Sequence, residues 1–478
     1  MIDDAGAQPI RRSFRDPAGH LVAAGDRIFR IVNEAGVASV EAILNAPALQ
    51  PFVNDGRIIG TRRAAASALD SVPQIAGHEA ALVLEHDRVA FPSYPYEWPP
   101  EMLHAAAGLT LDLAEAALAG DLCLKDATPY NVLFVHTAPV FVDVLSFEPR
   151  DLLNRAWPAY AQFVRCFLLP LMVHVHFGLP LDMLLTMRRD GLEPSEVYRM
   201  YGPLQRLRPA VMELVTLPAW LERSQRGRRS SGQASRARSR DESAWVLTRM
   251  FRRLRRLLAA CAPRPAESTW SSYGSDEGTS TAYGAAKLEF VSRALDELKP
   301  SRVLDIGCNV GHYTLCAADR GASVVAIDRD PAVVGRLWQT ARSRKAPVLP
   351  IALDIARPSA PLGWNNAECA AFTDRARGGF DAVLMLALVH HLLVSDRVPL
   401  DEVIELAARL TTDALIVEYV APDDPRFREI ARGRDDLHRH LSSEVFEAAC
   451  RRSFDIGRSQ AMPGGTRTVY VLRKRVGC

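Results

Sequence analysis

Arg302-Val-Leu-Asp-Ile-Gly-Cys-Asn-Val-Gly-His312 decides the fold. A short apolar strand, Val303 to Ile306, runs straight into a turn of small residues, and a helical pattern follows. A second apolar strand, Ser323 to Ile327, ends in Asp328. Strand, glycine turn, helix, strand and terminal acid is how an α/β fold makes a pocket for a nucleoside. The first strand delivers Asp305 and the bare backbone of Gly307 and Gly311. The second delivers a carboxylate able to take both ribose hydroxyls.

Three more strands are expected downstream. They are Pro347 to Asp354, Phe380 to Leu386 (with His390 and His391 just beyond), and Ala414 to Tyr419, which contains Glu418. A helix, Ser443 to Cys450, precedes a terminal hairpin with arms Phe454 to Ser459 and Thr468 to Leu472 around Pro463-Gly464-Gly465. Strands alternating with helical segments indicate a parallel sheet.

These motifs resemble the class I S-adenosylmethionine (SAM)-dependent methyltransferases. Their acid-x-Gly-x-Gly-x-Gly motif reads Asp305-Ile-Gly307-Cys308-Asn309-Val-Gly311 here, with Asn309 in place of the middle glycine. Asparagine tolerates a left-handed backbone better than other non-glycine residues. A dinucleotide site would want Gly-x-Gly-x-x-Gly facing a pyrophosphate, and that spacing is missing. The resemblance covers about Glu267 to Lys474 and assigns 267–478 to a methyltransferase domain. It implies an α/β, Rossmann-like sheet, mostly parallel with an antiparallel last strand, and SAM as cofactor. It implies that Asp305, Gly307, Cys308, Asn309 and Gly311 form the cofactor bend. Asp328 would lie at the ribose and Asp354 at the adenine amino group, with Arg329, Ile355 and Leu386 also counted as cofactor-binding.

Methyl transfer from a sulfonium is an in-line displacement, so positioning supplies most of the acceleration. A base is needed only where the acceptor must lose a proton. His390 is either that base or a residue packed beneath the cofactor; for His391 packing is the expectation. Glu418 either orients an acceptor or is a strand-end carboxylate in solvent. Lys287, one of five lysines beside 53 arginines, either pairs with the methionine carboxylate of SAM or is a solvated helix charge. Tyr283, with Tyr273 upstream of it, is either a lid or a packing residue.

The chain's 478 residues suggest two or three domains. A net charge of +2 makes no electrostatic case for nucleic acid. No Asn-Pro-Pro-Tyr-type motif follows the fourth strand. The eight cysteines form no Cys-x-x-Cys and no zinc spacing, so no metal is expected and a reducing cytoplasmic setting fits. The first residues do not read as a signal peptide. The longest apolar run, Phe163 to Leu185, carries Arg165, two histidines and two prolines, and reads as a buried helix pair rather than a transmembrane segment.

The first half contains Lys125-Asp126-Ala-Thr-Pro-Tyr-Asn131, then Val140-Phe-Val-Asp143. Asp-x-x-x-x-Asn followed by a strand ending in Asp resembles the catalytic loop and metal aspartate of small-molecule kinases. Leu124 stands where that family carries His, and Val144-Leu145 replaces Phe-Gly. No lysine precedes Lys125, so the phosphate-pairing lysine is missing. Residues 1–205 therefore read as a degenerate kinase-like α+β domain. Residues 206–266 read as a helical, basic and low-complexity linker. Within it, 244–258 is a basic amphipathic helix that either contacts a membrane surface peripherally or packs on its own domain. The fusion resembles a bacterial methyltransferase family that includes nodulation-linked proteins. That implies methyl transfer to O or N of a small-molecule or glycan-like acceptor, with no nucleic-acid partner. Two further readings stay open: a bifunctional kinase and methyltransferase, and a non-enzymatic SAM-binding scaffold.

Overall fold

The computed structural model describes residues 16–64, 80–225, 236–264, 281–433 and 435–475. Tyr273 and most of the Ser/Gly/Arg-rich stretch between 224 and 240 lie outside them. The chain forms two compact units. One comprises Met1–Arg264 with Gly363–Glu368; the other comprises Pro265–Leu362 with Cys369–Cys478.

The first unit opens with a four-stranded antiparallel sheet, β1 (Gly19–Ala24), β2 (Arg27–Val32), β3 (Thr61–Arg63) and β4 (Leu82–His86), in the order β1-β2-β4-β3. Val22, Phe29, Ile31 and Val83 bury its inner face. The Pro100–Ala119 helix follows, with proline in its first turn, where the missing N–H costs nothing. It is long and apolar enough to cross a membrane by length and composition alone, but eleven of its residues are buried in this unit. Two short pairs come next, β5 (Leu122–Leu124) with β8 (Phe147–Pro149), and β6 (Val132–Val135) with β7 (Ala138–Phe141). The apolar run from Phe163 folds into packed helices, Leu169–Phe177 and Leu181–Met187 among them.

The basic amphipathic helix read at 244–258 lies within a longer one, Arg240–Ala260. Ser239 caps it by accepting the Glu242 N–H. Leu247, Phe251, Leu254 and Leu258 recur at helical spacing and are buried. The helix lies against Pro100–Ala119, where Arg255 reaches Asp112 and Glu115.

The second unit is a seven-stranded mixed sheet. Its strands are β9 (Arg302–Ile306), β10 (Ser323–Asp328), β11 (Val348–Ala352), β12 (Phe380–Met385), β13 (Thr411–Val420), β14 (Phe454–Ala461) and β15 (Arg467–Lys474). The order is β11-β10-β9-β12-β13-β15-β14, with the first five parallel and β15 antiparallel to both β13 and β14. This is the Rossmann-like arrangement expected from the sequence. Central strands read as unbroken apolar runs because helices cover both faces. The strand order reverses between β9 and β12, so the crevice opens at their carboxyl ends, beside Asp305.

Candidate cofactor site and its surroundings

The glycine bend is tied to its neighbouring strand. The Gly307 and Cys308 N–H groups both donate to the Ile327 carbonyl, at 2.8 and 3.0 Å. Gly307, Asn309 and Gly311 are left-handed, with φ of 80°, 50° and 86°. Asn309 fills the middle position because its own Oδ1 accepts the Val310 N–H at 2.7 Å, which stabilises that backbone locally. A Cβ at Gly311 would stand 2.2 Å from Leu337 Cδ1, so this glycine serves close helix packing.

Asp328 faces the bend. Its Oδ2 accepts the Asn309 N–H and its Oδ1 the Asp330 N–H, each at 3.0 Å. A carboxylate offers about four lone-pair directions, so two remain for ribose hydroxyls. Asp305 is 2% exposed and accepts the Thr314 hydroxyl at 2.5 Å. Burial pushes its carboxyl up to about 6 against the lowering effect of Thr314, and the Asp328 charge adds to the rise. Asp354 is more engaged, accepting from Ala356 N–H and Arg357 at 2.9 and 3.0 Å.

A cavity of about 1570 Å³ opens at this edge. It brings together Asp305, Gly307, Cys308, Asn309, Asp328, Arg329, Asp354, Ile355, Leu386, Lys287, Tyr283 and His390. Gly311 and Glu418 stand behind its wall. Cys308 is buried, and that burial drives its thiol well above the usual range, leaving it an inert wall residue.

Two expected roles change. Glu418 is neither in solvent nor turned to an acceptor: it is fully buried. Its Oε2 accepts from Lys287 Nζ at 2.6 Å and from the Ala387 N–H at 2.8 Å, and its Oε1 from the Tyr283 hydroxyl at 2.5 Å. Lys287 is 3% exposed, so it is not a solvated helix charge either. Arg467 extends the network, donating to Tyr283 at 3.0 Å and pairing with Asp424 at 2.9 Å. Burial alone would raise the Asp424 carboxyl, but Arg467 and Thr466 bring it down to about 2. Ala387 sits at φ 51°, a strained conformation for alanine, pinned by Glu418. Leu388 beside it lies 3.3 Å from where a Gly307 Cβ would be. Glu418 therefore anchors both the Ala282–Leu298 helix and the loop after β12. Sequence reasoning missed Arg467, Asp424, Ala387 and Leu388. Only the position of Ala387 and Leu388 just past a strand could have pointed to them.

His390 is 3% exposed and its Nδ1 has no hydrogen-bond partner among the described residues. Burial holds its imidazole well below 6.5, so it is neutral at physiological pH. His391 packs beside it, ring centres 4.4 Å apart, and burial brings it down to about 4.

In the first unit, Asp126, Asn131 and Asp143 do converge, but on one another's partners. Arg30, from β2, pairs with Asp143 at 3.0 Å and donates to His86 at 3.2 Å. Ser146 donates to Asp143 at 2.5 Å and accepts from Asn131 at 3.1 Å. Asp126 is half-buried, and burial raises its carboxyl.

Residues 246–455 match the methyltransferase domain family. With Asp305, the bend and Asp328 on one cavity, the match decides the activity. The protein is a SAM-dependent methyltransferase. Over 470 residues it is 28% identical to the nodulation protein NoeA of Rhizobium meliloti (strain 1021), covering 97% of this chain and 96% of that one. Among solved structures it is similar to the N-methyltransferase NodS from Bradyrhizobium japonicum WM9 (15% identity, 41% of this chain, 99% of that one, TM-score 0.32). It is also similar to the magnesium protoporphyrin IX methyltransferase ChlM from Synechocystis PCC 6803 (18% identity, 43% and 96%, TM-score 0.31). The pocket residues fit the methyltransferase's cofactor: Asp328 retains acceptor capacity for a ribose, and Asp305 is a buried acid that a sulfonium charge would favour in its ionised form.

Proposed function

We propose that this methyltransferase transfers the methyl group to an oxygen or nitrogen of a small-molecule or glycan-like acceptor, in a process connected with nodulation. One observation carries the reading: the cofactor cradle and His390 line the same cavity, and the buried Nδ1 of that histidine has no partner among the described residues. SAM supplies an activated methyl group on a sulfonium. The chain's part is to hold acceptor and methyl carbon in line, worth on the order of 7–11 kcal/mol at best. Neutral His390 accepts a hydrogen bond from the acceptor O–H or N–H. A low imidazole pKa makes it a weak proton sink, sufficient for a hydroxyl that turns strongly acidic as its bond to carbon forms. The test is S-adenosylhomocysteine (SAH) release by full-length protein given SAM and fractionated small-molecule or oligosaccharide extracts. Turnover should require an extract fraction and vanish in Asp328→Ala. No SAH with any fraction would remove this acceptor class.

The first unit we read as a kinase-like scaffold without phosphotransfer. An antiparallel sheet, a long helix and an Asp126/Asn131/Asp143 loop support the likeness. Arg30 on Asp143, where a metal would have to bind, supports the loss of chemistry. Its work would be to bind the acceptor or dock a partner. We place the protein in the cytosol, where SAM is made and where its unpaired cysteines would stay reduced.

A further inference from the structure

The cavity is larger than its cofactor needs. Ordinary small-molecule pockets hold roughly 300–1,000 Å³, and this one holds about 1570 Å³. The surplus lies beyond His390. Its walls are the Val389–Val394 and Pro425–Ala431 helices, the start of Leu400–Leu410 and the face of Ser443–Cys450.

Two features distinguish that distal half. Its wall is apolar: Leu393, Val394 and Leu441 belong to a hydrophobic cluster with Val420, Phe427 and Ala431. Leu437 and Val445 add large apolar side chains that remain 64% and 42% exposed on the cavity. Isolated exposed apolar residues mean little, but two that extend a buried cluster across a cavity wall mark a surface awaiting apolar contact. The second feature is charge. Each acid lining this half already has an arginine: Asp396 has Arg357, Asp401 has Arg452, and Glu429 has Arg426. Arg397 and Arg432 line the same space and take part in none of those three pairs. Both sit on left-handed backbone, at φ 58° and 52°: Arg397 in the loop between the Val389–Val394 and Leu400–Leu410 helices, Arg432 just past the end of Pro425–Ala431.

We propose that the distal half takes an amphipathic acceptor with an anionic group: the apolar body lies along Leu437 and Val445, and the anion pairs with Arg397 and Arg432. This rests on the methyltransferase reading of the same cavity and names the class of its acceptor. The anionic group is a phosphate or carboxylate; the shared requirement is negative charge next to an apolar chain.

The test uses full-length protein saturated with SAH, titrated by calorimetry below the micelle concentration of each probe. The probes are dodecyl phosphate, dodecanoate, dodecyl glucoside and inorganic phosphate. Both anionic amphiphiles should bind, with the glucoside and the free phosphate at least about tenfold weaker, since hydrogen bonds to charged groups carry that much discrimination. A difference between dodecyl phosphate and dodecanoate tells which anion the arginines prefer. The double variant Arg397→Asn, Arg432→Asn keeps a residue that tolerates left-handed backbone. It should lose about tenfold or more in anionic-amphiphile affinity and leave SAH affinity unchanged. Leu437→Ser with Val445→Ser should weaken the amphiphiles and leave SAH alone. Equal binding of glucoside and anionic amphiphiles, or no effect of the arginine changes, overturns the proposal. If SAH binds normally while the amphiphiles do not, only the acceptor class falls; if SAH itself does not bind, the reading of the cavity falls with it.

Discussion

The two units each gather acids at the ends of strands, and they do opposite things with them. In the carboxy-terminal unit Asp305 and Asp328 accept one or two local hydrogen bonds and still face a cavity. In the amino-terminal unit Asp143 meets Arg30 and Ser146 from within the fold. A carboxylate is a ligand group only where its own chain leaves lone pairs unoccupied and room beside them. The motif spelling is similar in kind in both places; the neighbours decide.

The contrast can be broken most severely at the glycine bend. Gly311→Val places a branched side chain at φ 86°, against Leu337. SAM binding by calorimetry should disappear, while Arg30→Ala leaves it unchanged. Retained binding in Gly311→Val would remove the claim that the bend shapes the site.

Glu418→Gln comes next. It keeps the shape but leaves the Lys287 ammonium buried without its charge partner, a loss of about 3–5 kcal/mol. Chemical denaturation should show it, with the slope of the unfolding curve unchanged. A loss below about 1 kcal/mol, the value of an exposed pair, would mean the network is open to water.

Asp328→Asn should weaken SAM about ten- to hundredfold, because ribose hydroxyls then lose charge-assisted acceptors. An effect equal to that of Asp354→Asn would mean the two strand-end acids are equivalent, contrary to their different hydrogen bonding.

A smaller effect follows from Asp305, whose folded carboxyl titrates at about 6, above its value of about 3.9 in an unfolded chain. The folded state binds the extra proton between those values, so this group favours folding at low pH and loses that contribution as pH rises through about 6. A cation beside it prefers the ionised form. SAM affinity should therefore rise with pH up to about 6 and level off, and SAH, which lacks the sulfonium charge, should change much less. Parallel slopes for the two would detach Asp305 from the sulfonium.

The smallest expectation is none at all. Magnesium with ATP should give no saturable heat with the full-length protein, because Arg30 already holds Asp143. Saturable binding would make the two units alike and restore the bifunctional reading.

Much of the carboxy-terminal fold was legible in the sequence. Strand alternation, the Asp305-x-Gly307 turn and the terminal Pro463-Gly464-Gly465 are local signals, and the Ser443–Cys450 helix lies within its expected bounds. The site was legible where a residue's role follows from its place at a strand end, as for Asp328. It was not legible where burial changes the role. His390 reads as base or packing residue by type and place, and only the fold shows that desolvation holds it neutral, the form able to accept a proton. The amphipathic helix from 240 left two readings open in the sequence, and only the fold shows its apolar stripe buried.

By itself, then, the sequence determined the order of strands and helices, the left-handed turn and the acids that follow it, because backbone preferences and side-chain period act over a few residues. Only the tertiary structure decided that Lys287 meets Glu418, that Arg30 meets Asp143, and that Arg397 and Arg432 share one opening. Those outcomes join residues far apart in the chain. Their strength comes from the exclusion of water, which no local stretch of sequence controls.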